Sequence, residues 1–349
     1  MSASRGHRPA LGRSRRHRSR SARIAERLLA SGLLLLVAGG MVAGTVFATD
    51  EVPGRPASSG GPPVRSTLVL LEVKTDAGAL IAVVGSSGTR PPEAVIVPAT
   101  VFLTIPGQGD GSAGDAALLP GPQAAMAISN ILGMWIPHYA FIDEERLSAV
   151  VDRAGGISLY GKTEDGAGVT AALGVKAGRQ LTWEETLTGL FAAHLSWSKA
   201  DLEETDDASA VAAALTATRG AEVEVLPTLP SASTLLRPDD EAIAELVSRV
   251  FGGSRRQPTG VIVLNGTGRP GVGESIAARL IPAGFRIEIS QNASSFGHGK
   301  TLIVANSARL RPVAERIRRL MGVGSVSIAG VPSGLGDVTI VVGRDYLTG

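Results

Sequence analysis

The spacing of apolar residues separates two kinds of segment in the central part of the chain. Thr67 to Val73 and Ala79 to Val84 are nearly unbroken apolar runs, which are typical of buried strands. The polar run 74–78 joins them as a hairpin, and Ala94 to Val97 with Val101 to Ile105 are expected to continue the same sheet. Later segments repeat apolar residues near i, i+3, i+4 and i+7, as helices do: 122–132, 143–154, 183–194, 207–218 and 239–251. The pattern predicts an α/β domain whose mixed sheet is covered by helices.

Residues Ile136 to Leu159 form one predicted strand-helix-strand unit. Asp143 stands where a helix N-cap is expected, and Glu144 and Glu145 favour the positive end of the helix dipole. Gly155-Gly156 then ends the helix before an apolar strand. We expect this unit to pack against the core of the domain.

A second, smaller α/β unit is predicted near the C-terminus, after a hinge at residues 252–258 that is rich in Gly, Arg and Pro. Within residues 259–346 the predicted strands and helices are Gly260–Leu264, helix Gly271–Ala283, Phe285–Ser290, Thr301–Val304, helix Ala308–Met321 and Val338–Val342.

The first 65 residues are predicted to lie outside any folded core. Residues 1–27 are rich in Ser and Arg without apolar periodicity, which predicts a disordered basic tail. Residues 28–48 contain no charge and are long enough to span a bilayer as a single transmembrane helix. The basic flank predicts a cytoplasmic N-terminus and an extracytoplasmic C-terminal bulk at the cell membrane, with 49–65 as a linker. The alternative is a cleaved signal peptide ending near Val46-Phe47-Ala48.

Charge is distributed unevenly along the 349 residues. The net charge of +2 combines nine Arg and one Glu in residues 1–27 with 25 basic and 31 acidic residues in the remainder. The basic tail fits the anionic head groups of the cytoplasmic leaflet, so we predict a membrane partner and no nucleic acid. Because the chain has no Cys, disulfides and thiolate metal sites are excluded.

Two segments resemble known families. Ile96-Val97-Pro98, Thr104 to Gly107, His138-Tyr139, Val150 to Gly156 and Leu181 to Glu185 are similar to motifs of the LytR-CpsA-Psr (LCP) family, over residues 66–251. Val263 to Gly268, Ala277 to Leu280, Gly284-Phe285 and Gly343 to Tyr346 resemble the LytR C-terminal domain, over residues 259–346.

The LCP resemblance implies transfer of a glycopolymer from a polyprenyl-pyrophosphate carrier to the cell wall with a divalent cation. Such chemistry needs arginines around two phosphates and carboxylates for the metal. Where the family has PRD, this chain has Pro98-Ala99-Thr100, and the positions of YxRxR are Gly189, Phe191 and Ala193. The family's DxxRxxRQ aligns with residues 201–208, where acids replace the arginines. Like charges beside a diphosphate repel by about 4 kcal/mol for a 4 Å pair.

We therefore expect no catalytic residues, no metal and no cofactor, and whether the chain is an enzyme is left uncertain, with a pseudoenzyme favoured. The expected role is a non-catalytic binding or assembly partner in attaching glycopolymers to the wall. Its partners would be wall glycopolymer, a polyprenyl-phosphate lipid or active LCP proteins. The alternative is an active phosphotransferase with relocated ligands and Mg²⁺, which would require arginines gathered from elsewhere, such as Arg65, Arg90 or Arg146.

Two places in the second unit carry candidate ligand-binding residues. Asn265, Gly266 and Arg269 stand before a predicted helix N-terminus that could accept an anion. On the last helix, Arg309 and Arg316 belong to a basic face suited to anionic polymer or phospholipid. Gly266 to Gly271 also has the GxGxxG spacing of a dinucleotide-binding turn, which remains an alternative.

Overall fold

The structure, a computed structural model, describes residues 67–75, 78–87, 90–174, 179–252, 257–330 and 334–348. The chain divides into two compact units, Met1–Arg55 and Pro56–Gly349, and every described residue belongs to the second. The predicted basic tail 1–27, membrane segment 28–48 and linker 49–65 lie outside the described residues. Among the residues that are described, no helix is both long and apolar enough to cross a membrane.

Strands and helices alternate along the N-terminal part, residues 67–252. Its strands are β1 (Thr67–Thr75), β2 (Gly78–Ser87), β3 (Arg90–Ile96), β4 (Phe102–Ile105), β5 (Gly109–Ser112), β6 (His138–Asp143), β7 (Ile157–Leu159), β8 (Lys162–Glu164), β9 (Glu204–Thr205), β10 (Glu222–Val225), β11 (Thr228–Leu229) and β12 (Arg237–Pro238). Its helices are α1 (Ala113–Ala116), α2 (Gly121–Leu132), α3 (Glu144–Arg153), α4 (Gly166–Gly174), α5 (Arg179–Ala192), α6 (Ala208–Thr216) and α7 (Asp240–Val250).

The C-terminal part, residues 257–348, is a smaller α/β arrangement. It contains β13 (Thr259–Asn265), α8 (Val272–Leu280), β14 (Phe285–Asn292), β15 (Leu302–Ala305), α9 (Arg311–Met321), β16 (Ser325–Ile328) and β17 (Val338–Val342). The strands form a mixed sheet, here called the second sheet, in the order β14-β13-β17-β15-β16. Both α8 and α9 bury apolar side chains in its core. The α/β fold class is therefore confirmed, whereas the division at 252–258 stays a prediction.

A six-stranded mixed sheet, the first sheet, forms the centre of the N-terminal part in the order β10-β3-β2-β1-β6-β9. Val69 and Leu71 of β1 face a core completed by α3 to α6, while Leu68 and Leu70 face a second core completed by α1, α2 and α7. Because helices cover both faces, the strand needs apolar residues at consecutive positions. Glu72 interrupts this apolar run although it is fully buried.

Local signals place the unit 136–159 as predicted. The Asp143 carboxylate accepts the backbone N–H of Arg146 at 2.8 Å and caps α3. The helix ends at Arg153, and Gly155 and Gly156 follow with φ of +83° and +97°, a region that glycine adopts without steric cost. The strand after it, β7, pairs with β8 in a separate hairpin and not with the first sheet.

One strand assignment is wrong. Phe102–Ile105 was expected to extend the first sheet, but it pairs with β5 in a two-stranded hairpin. The chain leaves the sheet after β3 because Val97, Pro98 and the turn at 99–100 redirect it. This hairpin, β4–β5, packs against the C-terminal part, which the pattern of apolar residues did not indicate.

Candidate functional site

The positions where the LCP resemblance expects arginines are used for packing. Phe191 is buried in the core, and a Cβ at Gly189 would lie 2.5 Å from the carbonyl oxygen of Ser158, so α5 lies directly against β7 there. In the loop after β3, the carbonyl of Ala99 accepts the N–H of Gly114 at 2.8 Å and that of Thr100 accepts the N–H of Leu236 at 2.8 Å. On α5, this packing leaves no room for a guanidinium group at Phe191 without rearrangement.

Two of the motif segments, 98–100 and 201–207, follow or contain strands that lie apart in the first sheet. β3 leads into Pro98-Ala99-Thr100, whereas β9 lies in the acidic run 201–207 at the other side of the sheet. Four inter-strand spacings separate the two strands, or about 19 Å. Of the arginines considered as replacements, Arg146 pairs with Asp143 on its own helix, and the side chains of Arg65 and Arg90 lie outside the described part.

The acids of the run 201–207 that form hydrogen bonds each bond to different groups. Asp201 accepts the N–H and hydroxyl of Ser198 and pairs with Arg153 at 2.7 Å. Burial alone would raise the pKa of Asp201, but these hydrogen bonds outweigh it and hold the pKa below the usual value. Glu204 accepts the N–H of Gly121 (3.0 Å). Asp206 contacts His138 (2.8 Å) and accepts the N–H of Tyr139 (3.3 Å), and Asp207 accepts the N–H groups of Ser209 and Ala210 (3.1 Å each). Within the described residues, no three His, Asp or Glu side chains come together as metal ligands.

The carboxylate of Glu204 lies at the N-terminus of α2, where an anion could otherwise bind. Pro120 precedes α2 and gives no side-chain cap, so the first N–H of the helix is free to bind a negative group. The Glu204 carboxylate takes this N–H, at Gly121. A phosphate approaching the same N–H would meet a carboxylate already bound.

Further titratable groups lie near this helix end. β1, β6 and β9 set Glu72, Phe141 and Glu204 side by side in a row across the sheet. Burial raises the pKa of Glu72 to about 8, Lys74 opposes this and Glu204 adds to it. Burial, Glu204 and Asp206 likewise raise the pKa of Tyr139. Because the raised pKa values keep Glu72 and Tyr139 protonated, the charged groups here are Glu204 and Asp206, called the acidic cluster, and these two disfavour a bound anion.

The candidate residues of the turn after β13 serve the turn itself. The Asn265 side chain accepts from the N–H and hydroxyl of Thr267, at 3.0 and 2.7 Å, and donates to the carbonyl of Arg269 at 2.8 Å. Gly266 is packed so closely that a Cβ would lie 2.6 Å from the ring of His298. The Arg269 side chain is exposed.

The geometry around α8 disfavours the dinucleotide alternative. A pyrophosphate would have to reach the N-terminus of this helix. The turn of the β4–β5 hairpin occupies part of this approach, because a Cβ at Gly273 would lie 2.6 Å from the Cα of Gly107. Glu274 adds a carboxylate in the first turn. The GxGxxG spacing therefore reflects close packing between two parts of the chain.

Arg309 and Arg316 lie at the opposite end of the second sheet from Asn265. β13 and β15 run antiparallel through β17, so the turn after β13 and the segment after β15 emerge at opposite ends. Arg316 donates to the carbonyl of Ala283 at 2.6 Å, whereas Arg309 is exposed and makes no hydrogen bond within the described residues. The structure does not bring the five candidate ligand-binding residues into one site.

A feature that the sequence analysis missed is the contact between the two parts, here called the seam. Asn130 of α2 is buried, and its amide donates to the carbonyl of Ile287 at 2.9 Å and accepts the N–H of the same residue at 2.7 Å. Ile287 belongs to β14, the edge strand of the second sheet. The Thr104 hydroxyl also donates to the carbonyl of Glu288 at 3.0 Å. The side chains of one part thus satisfy backbone groups that an edge strand leaves open.

Comparisons with known proteins give two findings. A search of solved structures returned Bacillus subtilis TagV (13% identity, TM-score 0.44) and Bacillus subtilis TagT (17% identity, TM-score 0.44), covering 55% and 56% of this chain and 100% and 94% of theirs. It also returned the LytR-CPS2A-psr family protein YwtF (TagT) with bound octaprenyl pyrophosphate lipid, at 15% identity and a TM-score of 0.43, covering 56% of this chain and 93% of that one. No curated protein matches the chain.

A family model gives the second finding. The family described as LytR cell envelope-related transcriptional attenuator matches residues 258–346. This range agrees with the residues for which the motifs Val263 to Gly268 and Gly343 to Tyr346 predicted such a domain. The prediction of a LytR C-terminal domain is confirmed by this match to residues 258–346, and the chain is similar to solved structures of the LytR-CpsA-Psr family.

Proposed function

We propose that this chain is a membrane-anchored, extracytoplasmic cell-envelope protein of the LytR-CpsA-Psr type that binds without catalysing transfer. Its role would be that of a binding or assembly partner in attaching glycopolymers to the cell wall. The LytR C-terminal domain at 258–346 supports an envelope role. The uncharged segment 28–48, with a basic tail before it, supports the anchor and its orientation.

The observation that carries the non-catalytic proposal is the carboxylate of Glu204 on the N-terminus of α2. Phosphoryl transfer depends on positive groups placed around the phosphates. Here the helix N–H that would serve an anion is bonded to Glu204, and Asp206 is a second acid close to it. The positions where the resemblance expects arginine are apolar and packed at Phe191.

The proposed ligands are a wall glycopolymer or a polyprenyl-phosphate lipid, and the proposed protein partners are active LCP proteins. The lipid proposal is supported by the similar protein YwtF (TagT), whose structure contains octaprenyl pyrophosphate. In this chain we expect such a lipid to be held mainly by its apolar tail, because the acidic cluster disfavours the diphosphate.

The test is a transfer assay with the purified full chain, a labelled polyprenyl-pyrophosphate glycan, peptidoglycan and Mg²⁺. We expect binding of the lipid-linked glycan with no release of the labelled polymer from its carrier. Turnover above a no-protein control, lost on removal of Mg²⁺, would establish the phosphotransferase alternative and refute the proposal.

A second test addresses the charge argument directly, through Glu204→Ala. Removing this carboxylate frees the N–H of Gly121, and the affinity for inorganic pyrophosphate should rise at least about tenfold, as expected for a like charge removed from a partly buried site. Glu203→Ala is the matched control, because it removes an equal but exposed charge one residue away. Equal effects of the two variants would show that Glu204 does not block an anion site.

The orientation is tested by a reporter fused after Gly349. A reporter that works only outside the cytoplasm is expected from the charge asymmetry across residues 28–48. A reporter active only in the cytoplasm would remove the envelope role altogether.

A further inference from the structure

A cleft of about 560 Å³ lies at the seam, between the turn of the β4–β5 hairpin and the GxGxxG turn after β13. Gln108 and Asp110 line it from the N-terminal part, and Gln291, Asn292 and Phe296 line it from the C-terminal part. Neither part forms the cleft alone. The hydrogen bond from the Gly107 N–H to the Ser290 hydroxyl, at 2.8 Å, fixes the hairpin turn against the end of β14.

Three of the side chains that line this cleft are neutral amides with free hydrogen-bonding capacity. Gln108, Gln291 and Asn292 make no side-chain hydrogen bond within the described residues. An amide offers two donor hydrogens and one acceptor oxygen, which suits a hydroxyl group because a hydroxyl both donates and accepts. Asp110 adds an acceptor, its carboxylate lying 3.5 Å from the Thr104 hydroxyl.

The charge of the lining separates this cleft from an anion site. Among the described residues that line it, none is Lys, Arg or His. Phosphate and carboxylate ligands are normally held by guanidinium or ammonium groups. A polyanionic polymer would therefore gain little here, and Asp110 would repel it.

An aromatic ring at the rim completes the arrangement. The Phe296 side chain is 48% exposed, although a ring of this size is usually buried. One side of it lies against Gly268, where a Cβ would be only 3.0 Å from the ring. The exposed remainder is an apolar surface beside polar amides, which is the combination that the C–H faces and hydroxyl edges of a sugar ring require.

We infer that the seam cleft binds a neutral saccharide, with Phe296 under a sugar ring and Gln108, Gln291 and Asn292 bonded to its hydroxyl or acetamido groups. The inference rests on the proposed function, for which it supplies the ligand class: an uncharged stretch of wall glycan. It assigns no role to Asn265, whose amide is used within the turn.

The test uses the purified full chain in a detergent without a sugar head group and a tetramer of β-1,4-linked N-acetylglucosamine as probe. Binding is followed by saturation-transfer NMR and by titration calorimetry. We expect saturable binding that weakens about fivefold in Phe296→Ala and about fivefold in Gln291→Ala, as for one lost ring contact and one lost hydrogen bond. Tyr160→Ala is the matched control: it removes an aromatic ring that is 61% exposed in the β7–β8 turn, and it should leave binding unchanged.

Two results of the titration would overturn the inference. The first is that the parent protein does not bind the tetrasaccharide. The second is that Phe296→Ala and Gln291→Ala bind it as tightly as the parent does, while thermal melts show that both variants are folded. Binding of NAD⁺ or polyphosphate that these substitutions weaken, with no saccharide binding, would assign the cleft to a different ligand class and overturn it too. The transfer assay reports separately, so turnover would refute the proposed function and a failed titration without turnover would refute the cleft alone.

Discussion

Replacing Glu72 by Gln should stabilise the protein in a pH-dependent way. The carboxyl group is fully buried in the first sheet, and neither oxygen has a hydrogen-bond partner among the described residues. Burial raises its pKa from 4.5 to about 8, with Lys74 lowering it and Glu204 raising it further. Since an amide of the same shape carries no charge, Glu72→Gln removes the cost of ionising a buried group and leaves the packing nearly unchanged.

The size and sign of the effect follow from proton linkage. Between pH 4.5 and about 8 the folded state holds one proton more than the unfolded state at Glu72. The free energy of unfolding therefore falls by about 1.4 kcal/mol for each pH unit in this window. At pH 7 the accumulated loss is about 3 kcal/mol, a large share of the 5–15 kcal/mol that holds a typical domain folded. Below pH 4.5 the group is protonated in both states, so the loss disappears.

The assay is urea unfolding of the full chain and of Glu72→Gln at several pH values from 4.5 to 8. The two proteins should be about equally stable at pH 4.5, and the variant should be more stable by about 3 kcal/mol at pH 7. Glu203→Gln serves as control, because that side chain is exposed and its substitution should change little at any pH. A stability difference for Glu72→Gln that is the same at pH 4.5 and pH 8 would refute the reasoning.

Two further predictions concern the seam. Asn130→Ala leaves the N–H and carbonyl of Ile287 without their partners, so it should lower the free energy of unfolding by about 3 kcal/mol. Amide hydrogen exchange at Ile287 should become faster, and unchanged exchange would contradict the role of these two hydrogen bonds. Gly273→Ala should destabilise the protein by about 1–3 kcal/mol, because its Cβ would meet the backbone of Gly107. The control is Gly174→Ala, where nothing lies within 4 Å of the added Cβ, and it should be neutral or slightly stabilising. Similar shifts of the melting temperature for both variants would rule out the close approach of Gly273 to Gly107.

Short-range signals in the sequence were sufficient to predict helices and strands such as α3 and β1, and part of the candidate site. The apolar run of β1 and the Asp143 cap of α3 depend on neighbours within a few residues, so their placement follows from pattern alone. The loss of arginine at Phe191 could likewise be read directly from the residue type. What pattern could not show is that Phe102–Ile105 leaves the first sheet, because a short apolar run is compatible with either sheet or hairpin.

The contacts that join distant parts of the chain could be identified only from the structure, although the residue type at Asn130 indicated that one such contact was required. An amide within the apolar run Ala124 to Leu132 of a helix must find buried hydrogen-bond partners or destabilise the fold. The sequence could say that a partner was required but could not say which, since Ile287 is 157 residues away and contributes only its backbone. The same holds for Gly107 and Gly273, whose small size permits an approach that no local pattern encodes. Sites that form where two parts of a chain meet, such as the seam cleft, are therefore invisible to motif analysis even when every residue lining them is in view.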